Sequence, residues 1–308
     1  MNKGEQHFLG VDVGGTHLKI GLVSKKGEII SFEKIDTAPY RDDEAGFSNR
    51  FTEGMGSILA KYPEVKKVGI GLPGLISKNR TTTLEIPAIP DLNGFNLKGA
   101  LKAKYPGISF YLENDAAAAA IGEYRFGKNN PPDDFLFITM GTGIGSALVL
   151  DGEIFKGARG NALEMGHMLS RGNEGLEKLI GRNGILRIME RFIQGYPRLA
   201  GDLRDKELGT HLLVDTAKAG NEVSLMVFEE VGRILGEAIV STIRILDVTN
   251  VYFGGGISAG LEFMMPSLDK TVRQYLTPYY VKDLNLMKAT LENNAGTLGA
   301  AALCFMED

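Results

Sequence analysis

Hydrophobic positions along the chain fall into two matching blocks. In the first, apolar residues 8–13 run into Gly14-Gly15-Thr16, a second apolar run covers 18–23, and a polar turn leads to Gly27-Glu28-Ile29. In the second, residues 135–140 run into Gly141-Thr142-Gly143, then 146–150, then Gly152-Glu153-Ile154. Each block predicts a strand, a small Gly/Thr turn, a second strand and a polar turn into a third. One Gly-Thr turn is an ordinary hairpin feature. The same order twice predicts a duplicated fold with a ligand between its halves.

The remaining pattern extends both halves alike. Phe47, Phe51, Met55, Ile58 and Leu59 share one face of a helix predicted over 45–62. Residues 65–72 read as a buried strand ending in the tight Gly71-Leu72-Pro73-Gly74 turn, and 86–97 as a loop. Asn96 is placed to cap a helix over 97–104. Residues 108–112 form a strand, and the alanine run 116–120 continues as a helix to about Phe126. Beyond the second block come a glycine-bearing loop (157–172) and helical periodicity from Leu176 to about Leu235 and on through Ile243. A strand over 248–253, a helix from about Ala259, a short strand at 289–291 and a terminal helix over 296–305 complete the chain. Each half thus orders three hairpin strands, helix, strand, helix, strand, which is mixed α/β. The repeat restarts within 115–134, so domains of 1–115 and 116–295 are expected.

Bulk properties narrow the function. The 308 residues suffice for two domains, and 44% hydrophobic with 23% charged residues is a soluble globular composition. With 34 basic and 38 acidic residues the net charge is −4, which gives no electrostatic footprint for nucleic acid. Cys304 is the single cysteine, so no intramolecular disulfide forms, as fits a reducing cytoplasm, and a cysteine-rich zinc cluster is ruled out. Residues 1–7 are polar, unlike a signal peptide, and no apolar run of about 18 residues offers a membrane span.

The chemistry-bearing residues cluster at predicted turns and strand ends. Glycines at the two turns permit positive φ and a close backbone approach to a ligand. Successive N–H groups there form a concave anion site. Gly14, Gly15, Thr16, Gly141, Thr142 and Gly143 are therefore candidates to hold a polyphosphate from two sides. Asp12 is a carboxylate within an apolar run, and burying it unpaired is costly. It meets a cation, either Mg²⁺ accompanying a nucleotide or Lys19 in an ion pair, and Lys19 itself joins the candidate cofactor contacts. Gly254-Gly255-Gly256 follows a strand and precedes a helix, suited to approach a base or ribose. Asp115 stands at the C-terminal end of a strand, where α/β sheets place ligands. It can take a proton from a substrate hydroxyl during phosphoryl transfer, or it or Asn114 can cap the alanine helix; both roles can coexist. Glu164 and His167, three apart in a Gly-rich segment, can grip vicinal hydroxyls, and His167 lacks the neighbours of a metal ligand. Gly74, in its tight turn, and Asn93, in the 86–97 loop, are candidates for the substrate wall. No Walker-type phosphate loop is present, and Gly141-Thr142-Gly143-Ile144-Gly145-Ser146 leads into a strand rather than the helix of a dinucleotide fingerprint.

Six short motifs in order carry a family resemblance: Asp12-Val13-Gly14-Gly15-Thr16, Gly71-Leu72-Pro73-Gly74, Glu113-Asn114-Asp115, Gly141-Thr142-Gly143-Ile144-Gly145, Glu164-Met165-Gly166-His167 and Gly254-Gly255-Gly256-Ile257. Over nearly its whole length the chain resembles the ROK family of sugar kinases and related repressors, within the actin/hexokinase superfamily. The resemblance implies two ribonuclease-H-like domains flanking a cleft, with the terminal helix (296–308) packing back onto the first. It implies ATP and Mg²⁺ as cofactors, a hexose as substrate, Asp115 as the base, and Asn114, Glu164 and His167 as sugar contacts. Dimers are usual in the family. Most members follow Gly-His with a Cys-rich zinc loop ending in Gly-Cys-Leu-Glu. Here the matching stretch is Gly172-Asn173-Glu174-Gly175-Leu176-Glu177, shortened and free of cysteine. Gly175 stands at a zinc-ligand position and Glu177 at that of a sugar-contacting glutamate. No structural zinc is expected, and something else must brace His167.

The expected function is ATP-dependent phosphorylation of a hexose or N-acetylhexosamine. Polyphosphate-dependent glucokinases are similar in lacking the zinc loop and in having the 141–148 sequence, which makes polyphosphate the alternative donor. A sugar-responsive repressor is the alternative of another class. It is disfavoured because the seven residues before Phe8 cannot form a helix-turn-helix domain.

Overall fold

A computed structural model of the chain describes residues 6–41 and 46–305. The first half contains β1 (His7–Val13), β2 (His17–Ser24), β3 (Ile29–Asp36), α1 (Ala38–Arg41), α2 (Gly46–Lys61), β4 (Lys67–Leu72), β5 (Leu75–Ile76), β6 (Thr83–Glu85), α3 (Leu97–Lys104), β7 (Ser109–Asn114) and α4 (Asp115–Phe126). The second half begins with β8 (Phe135–Met140), β9 (Ile144–Leu150) and β10 (Glu153–Ile154), followed by α5 (Leu176–Ile180), α6 (Arg182–Gly195), α7 (Pro197–Ala200), α8 (Thr210–Lys218) and α9 (Glu222–Leu246). It ends with β11 (Asn250–Gly254), α10 (Leu261–Tyr275), α11 (Pro278–Val281), β12 (Asn285–Lys288) and α12 (Ala295–Ala302).

The duplication expected from the hydrophobic blocks is written in the sheets. One runs β3-β2-β1-β4-β7 and the other β10-β9-β8-β11-β12. In the first, β1 pairs antiparallel with β2 and parallel with β4, which pairs parallel with β7. In the second, β8 pairs parallel with β11 and β11 with β12. Two compact units result, one of Met1–Asp133, Ala147–Leu163 and Thr290–Asp308, the other of Asp134–Ser146 and Glu164–Ala289. Set beside the expected division at residues 115 and 116, α4 and the 147–163 segment both fall in the first unit.

In the first unit the period-2 alternation of a strand sorts residues by size. Leu9, Val11 and Val13 of β1, Leu18, Ile20 and Leu22 of β2, and Val68, Ile70 and Leu72 of β4 join Phe47, Phe51 and Met55 of α2 and Leu97 and Leu101 of α3 in one core. The alternate positions, Gly10, Gly21 and Gly69, carry no side chain because α12 lies there. A Cβ at Gly10 would strike the Thr297 carbonyl oxygen, and one at Gly69 the Ala300 carbonyl oxygen. Gly122 of α4 and Gly299 of α12 make a similar close contact. The edge strand β3 alternates half-buried and exposed residues along its length, with Ile30 and Phe32 among the exposed ones. The second unit is built on α9, whose buried residues run from Val223 to Ile243 and which packs against α10, α6, α5 and α8.

Several boundaries differ from expectation, each for a visible reason. Residues 289–291 are not a strand: β12 is Asn285–Lys288, and only the Ala289 N–H continues its ladder, to Phe253. The next two N–H groups, of Thr290 and Leu291, bond the fully buried Glu123 carboxylate of α4 instead. The helical stretch from Leu176 breaks at Gly181, at Tyr196-Pro197 and again at Gly201, Gly209 and Gly220. The β5–β6 hairpin was not predicted, since strands of two and three residues carry no period. β10 is similarly short, whereas its counterpart β3 has eight residues. The terminal helix is α12 plus a 3₁₀ turn over Leu303–Phe305; of the expected span, 306–308 lie outside the described residues, as do Ala45 of the expected 45–62 helix and 1–5 of the N-terminal stretch. Among the described residues no helix is long and apolar enough to cross a membrane.

Candidate active site

The start of α4 separates the two roles that the sequence left open for Asn114 and Asp115. Asn114 is the cap: its side-chain oxygen accepts the Ala116 and Ala117 N–H groups at 2.9 and 3.2 Å. Its side-chain amide donates to the Gly74 carbonyl at 3.2 Å, tying the helix start to the Gly71–Gly74 turn. Gly74 is itself required there, with φ of 99° and no room for a Cβ against the Glu85 carbonyl. Asp115 follows as the first helical residue, half-buried at the carboxyl end of β7, and its Oδ1 accepts the Ala116 N–H at 2.8 Å. Beneath them the buried Glu113 accepts from Arg80 Nε at 2.9 Å and from the Asn114 N–H at 2.9 Å. Asn93 holds its own loop: its Oδ1 accepts the Ile86 N–H at 2.7 Å.

Both glycine turns span three residues between paired strands, residues 14–16 and 141–143. Neither uses the positive φ that its glycines permit, for Gly14, Gly15, Gly141 and Gly143 all stay at negative φ or in extended backbone. Packing is what excludes a side chain: a Cβ would lie 2.9 Å from the His17 carbonyl at Gly14 and 3.0 Å from the Ala88 methyl at Gly15, and it would overlap the Glu177 carboxylate at Gly143. Gly141 alone of the four has open space. Thr16 and Thr142 are exposed. Beside the first turn, Asp12 and Lys19 are cross-strand partners with Nζ–Oδ2 at 3.4 Å, so the ion pair exists. Burial nevertheless raises the Asp12 carboxyl above its ordinary value, against the pull of the Lys19 ammonium.

The second turn forms part of a cavity of about 240 Å³ lined by Gly141, Thr142, Arg182, Gly209, Thr210, His211, Gly256 and Ile257. That is below the roughly 300–1,000 Å³ of a whole drug-sized ligand site, so it suits one end of a longer ligand. The glycine triplet divides its work. Gly254 packs on the Phe137 ring and Gly255, with φ of 82°, on the Met140 backbone, while Gly256 meets nothing within 4 Å. A small residue there keeps the cavity open. Arg182, Thr210 and His211 were missed by sequence reasoning. The signal lay in the breaks of helical periodicity: Arg182 opens α6 and bonds the Gly141 and Thr142 carbonyls through its N–H, and Thr210 and His211 open α8.

Glu164, His167 and Glu177 gather in the second unit. Met165–His167 is a single 3₁₀ turn with Met165 and Gly166 buried, Gly166 against the Ile144 carbonyl, which leaves Glu164 and His167 both exposed. Glu177 accepts the Ile144 N–H at 3.0 Å and so fastens the glycine turn to α5. Although Glu164 is exposed as a residue, partial loss of hydration raises its carboxyl; the His167 ring lowers it and the Glu177 carboxylate raises it further. A carboxylate that binds hydroxyls by accepting their hydrogen bonds gives up part of that capacity when it is itself protonated. Substrate KM should therefore climb on the acid side starting above the usual glutamate range, and Glu164→Gln should flatten that limb. KM measured from about pH 5 to about pH 8 checks it; an acid limb unchanged by the substitution would assign it elsewhere.

The zinc loop of the resemblance does not fit these residues. The 168–177 segment has no cysteine, Cys304 is buried in the first unit, and no group of three His, Cys, Asp or Glu among the described residues is placed to hold a metal.

Comparison with known proteins places the chain. The model of the ROK family matches residues 8–307. A glucokinase of Thermotoga maritima is 32% identical over 96% of both chains. A ROK family glucokinase from Streptomyces griseus, solved in complex with glucose and AMPPNP, superposes with a TM-score of 0.80 at 27% identity, covering 97% of this chain and 99% of that one. A xylose repressor of Caldicellulosiruptor bescii is 26% identical, over 98% of this chain and 79% of its own length. With two sheets of one topology, the glycine turns and the Asn114-Asp115 and Glu164–His167 groups in place, the chain belongs to the ROK family, of the actin/hexokinase fold.

Proposed function

We propose that the chain phosphorylates a hexose or N-acetylhexosamine hydroxyl from ATP, with Asp115 as general base. The observation that carries this reading is the division of labour at the start of α4. Asn114 caps the helix, which places the Asp115 carboxylate first in α4 at the carboxyl end of β7, where α/β sheets present groups to their ligands. Asp115 takes the proton of the attacking hydroxyl, a step in which a positioned carboxylate contributes roughly 10²–10⁴-fold. Glu164 and His167 hold sugar hydroxyls, and Asn114, Gly74 and Glu177 shape that contact. Backbone N–H groups of the two glycine turns suit phosphate oxygens, and the cavity at Gly256 suits the nucleoside end. Bound there, ATP supplies the phosphoryl group while Mg²⁺ offsets its charge. Asp12 would hold that ion, directly or through water, beside Lys19.

The test is a matrix of donors against sugars. Sugar phosphate and ADP are expected with ATP and Mg²⁺ for at least one hexose or N-acetylhexosamine. Product with polyphosphate alone would support the alternative donor. No product with either donor across the panel, together with a sugar-dependent gel shift on upstream DNA, would replace this reading with that of a repressor, the class of the Caldicellulosiruptor relative.

A further inference from the structure

His167 and Glu177 sit at the two ends of one loop, whose apolar burial is confined to Leu176 at its C-terminal end. Leu169 is 78% exposed, Gly172 and Asn173 are exposed, and the loop tip turns through left-handed backbone at Gly172 (φ 64°) and Asn173 (φ 61°). Hydrogen bonds within the loop set its shape: Ser170 N–H to Glu174, Glu174 N–H to Arg171 and Leu176 N–H to Met168, with a bridge between Leu169 and Gly175. Such local bonds close a hairpin, and the body of the unit meets it at buried Leu176 and through an exposed Glu174–Arg187 ion pair at 3.6 Å, a weak tie in solvent.

Arg171 adds a forked attachment to α9. Its Nε donates to Glu237 Oε2 at 2.7 Å and its Nη2 to the other oxygen of the same carboxylate, while Nη1 donates to Glu230 Oε1 at 3.2 Å. Glu230 and Glu237 are seven residues apart, on one face of α9, the 25-residue helix at the centre of the unit. Arg233 supports the pair, donating to Glu230 at 2.6 Å and lying 3.8 Å from Glu237. A guanidinium fork on a carboxylate fixes orientation as well as distance, which a lysine ammonium does not.

We propose that Arg171, gripped by Glu230 and Glu237, is the positioning residue that holds the His167–Glu177 loop in register for substrate, the task that the resembling family gives to zinc. This rests on the sugar-kinase reading for its kinetic consequence but not for its structural one. The clamp is partly exposed, with Arg171 at 30%, so its loss should loosen the loop without unfolding the protein.

The test pairs Arg171→Met with Arg171→Lys and the exchanged pair Arg171→Glu/Glu237→Arg in the full-length protein. Amide exchange of residues 168–176 should quicken about tenfold in Arg171→Met while α9 and the first unit keep their protection. Sugar KM should rise about tenfold with donor KM and kcat within about threefold, because misplacement of a binding group costs affinity first. The lysine variant should fall between, and the exchanged pair should recover part of the loss. Unchanged exchange over 168–176 in Arg171→Met would overturn the clamp whatever the activity of the protein. Faster exchange with sugar KM unchanged in an active kinase would overturn its positioning role.

Discussion

Asp115→Asn is expected to lower kcat by about 10²–10⁴-fold, the usual worth of a positioned general base, with sugar affinity changed only a few-fold. The substitution is nearly isosteric, and the local fold has reason to survive it. The helix cap is Asn114, and an asparagine oxygen at 115 can still accept the Ala116 N–H. What disappears is basicity: an amide cannot take the hydroxyl proton that must leave as the sugar oxygen attacks phosphorus. A negative charge in the first turn is also lost, at a cost of about 0.3–1 kcal/mol in stability, too little to mimic the kinetic loss. Single-turnover rates and equilibrium sugar binding separate the two effects. Turnover within about tenfold of the parent would remove Asp115 from the role of base. Asn114→Ala is the opposite case, since it breaks the cap and the link to Gly74 and should cost stability of about 1 kcal/mol.

The largest effect on stability is expected from Gly69→Ala, a single added methyl. That methyl would be driven into the Ala300 carbonyl, and backbone cannot rotate away as a side chain can. α12 must then lift from the sheet, taking with it Leu298, Ala300, Ala301 and Ala302, all buried. Overpacking of this kind costs about 1–3 kcal/mol and occasionally more, and Gly69→Ala belongs at the upper end. Gly107→Ala is the control, since nothing lies within 4 Å of a Cβ there, and it should fall within about 0.5 kcal/mol of the parent. Urea midpoints of the two variants decide the matter. Equal midpoints would mean that α12 does not lie where Gly10, Gly21 and Gly69 make room for it.

Much of the architecture was legible because it rests on short-range signals. The two hydrophobic blocks announced two sheets of one topology, Asn96 announced α3, and the alanine run announced α4 ending at Phe126. The turns that carry the candidate residues Gly74, Glu164 and His167 were also legible, since their own sequence marks them. The reasons for several glycines were not. Gly15 and Gly143 admit Ala88 and Glu177 from elsewhere in the chain, Gly14 sits against the His17 carbonyl of its own turn, and none of the three uses the positive φ that glycine permits. His211 is remote in sequence from both glycine groups, and only the fold puts it beside Gly141 and Gly256 in one cavity.

By itself, then, the sequence determined most element types and the duplication, and it nominated residues whose chemistry suits phosphoryl transfer, because periodicity, capping and turn preference act within a few positions of a residue. Only the tertiary structure decided that Asn114 rather than Asp115 caps α4 while reaching Gly74, that Asp12 meets Lys19 across a strand pair, and that Arg171 finds Glu237 sixty-six residues away. Those outcomes depend on which faces are pressed together. Packing sets that, and no local pattern records it.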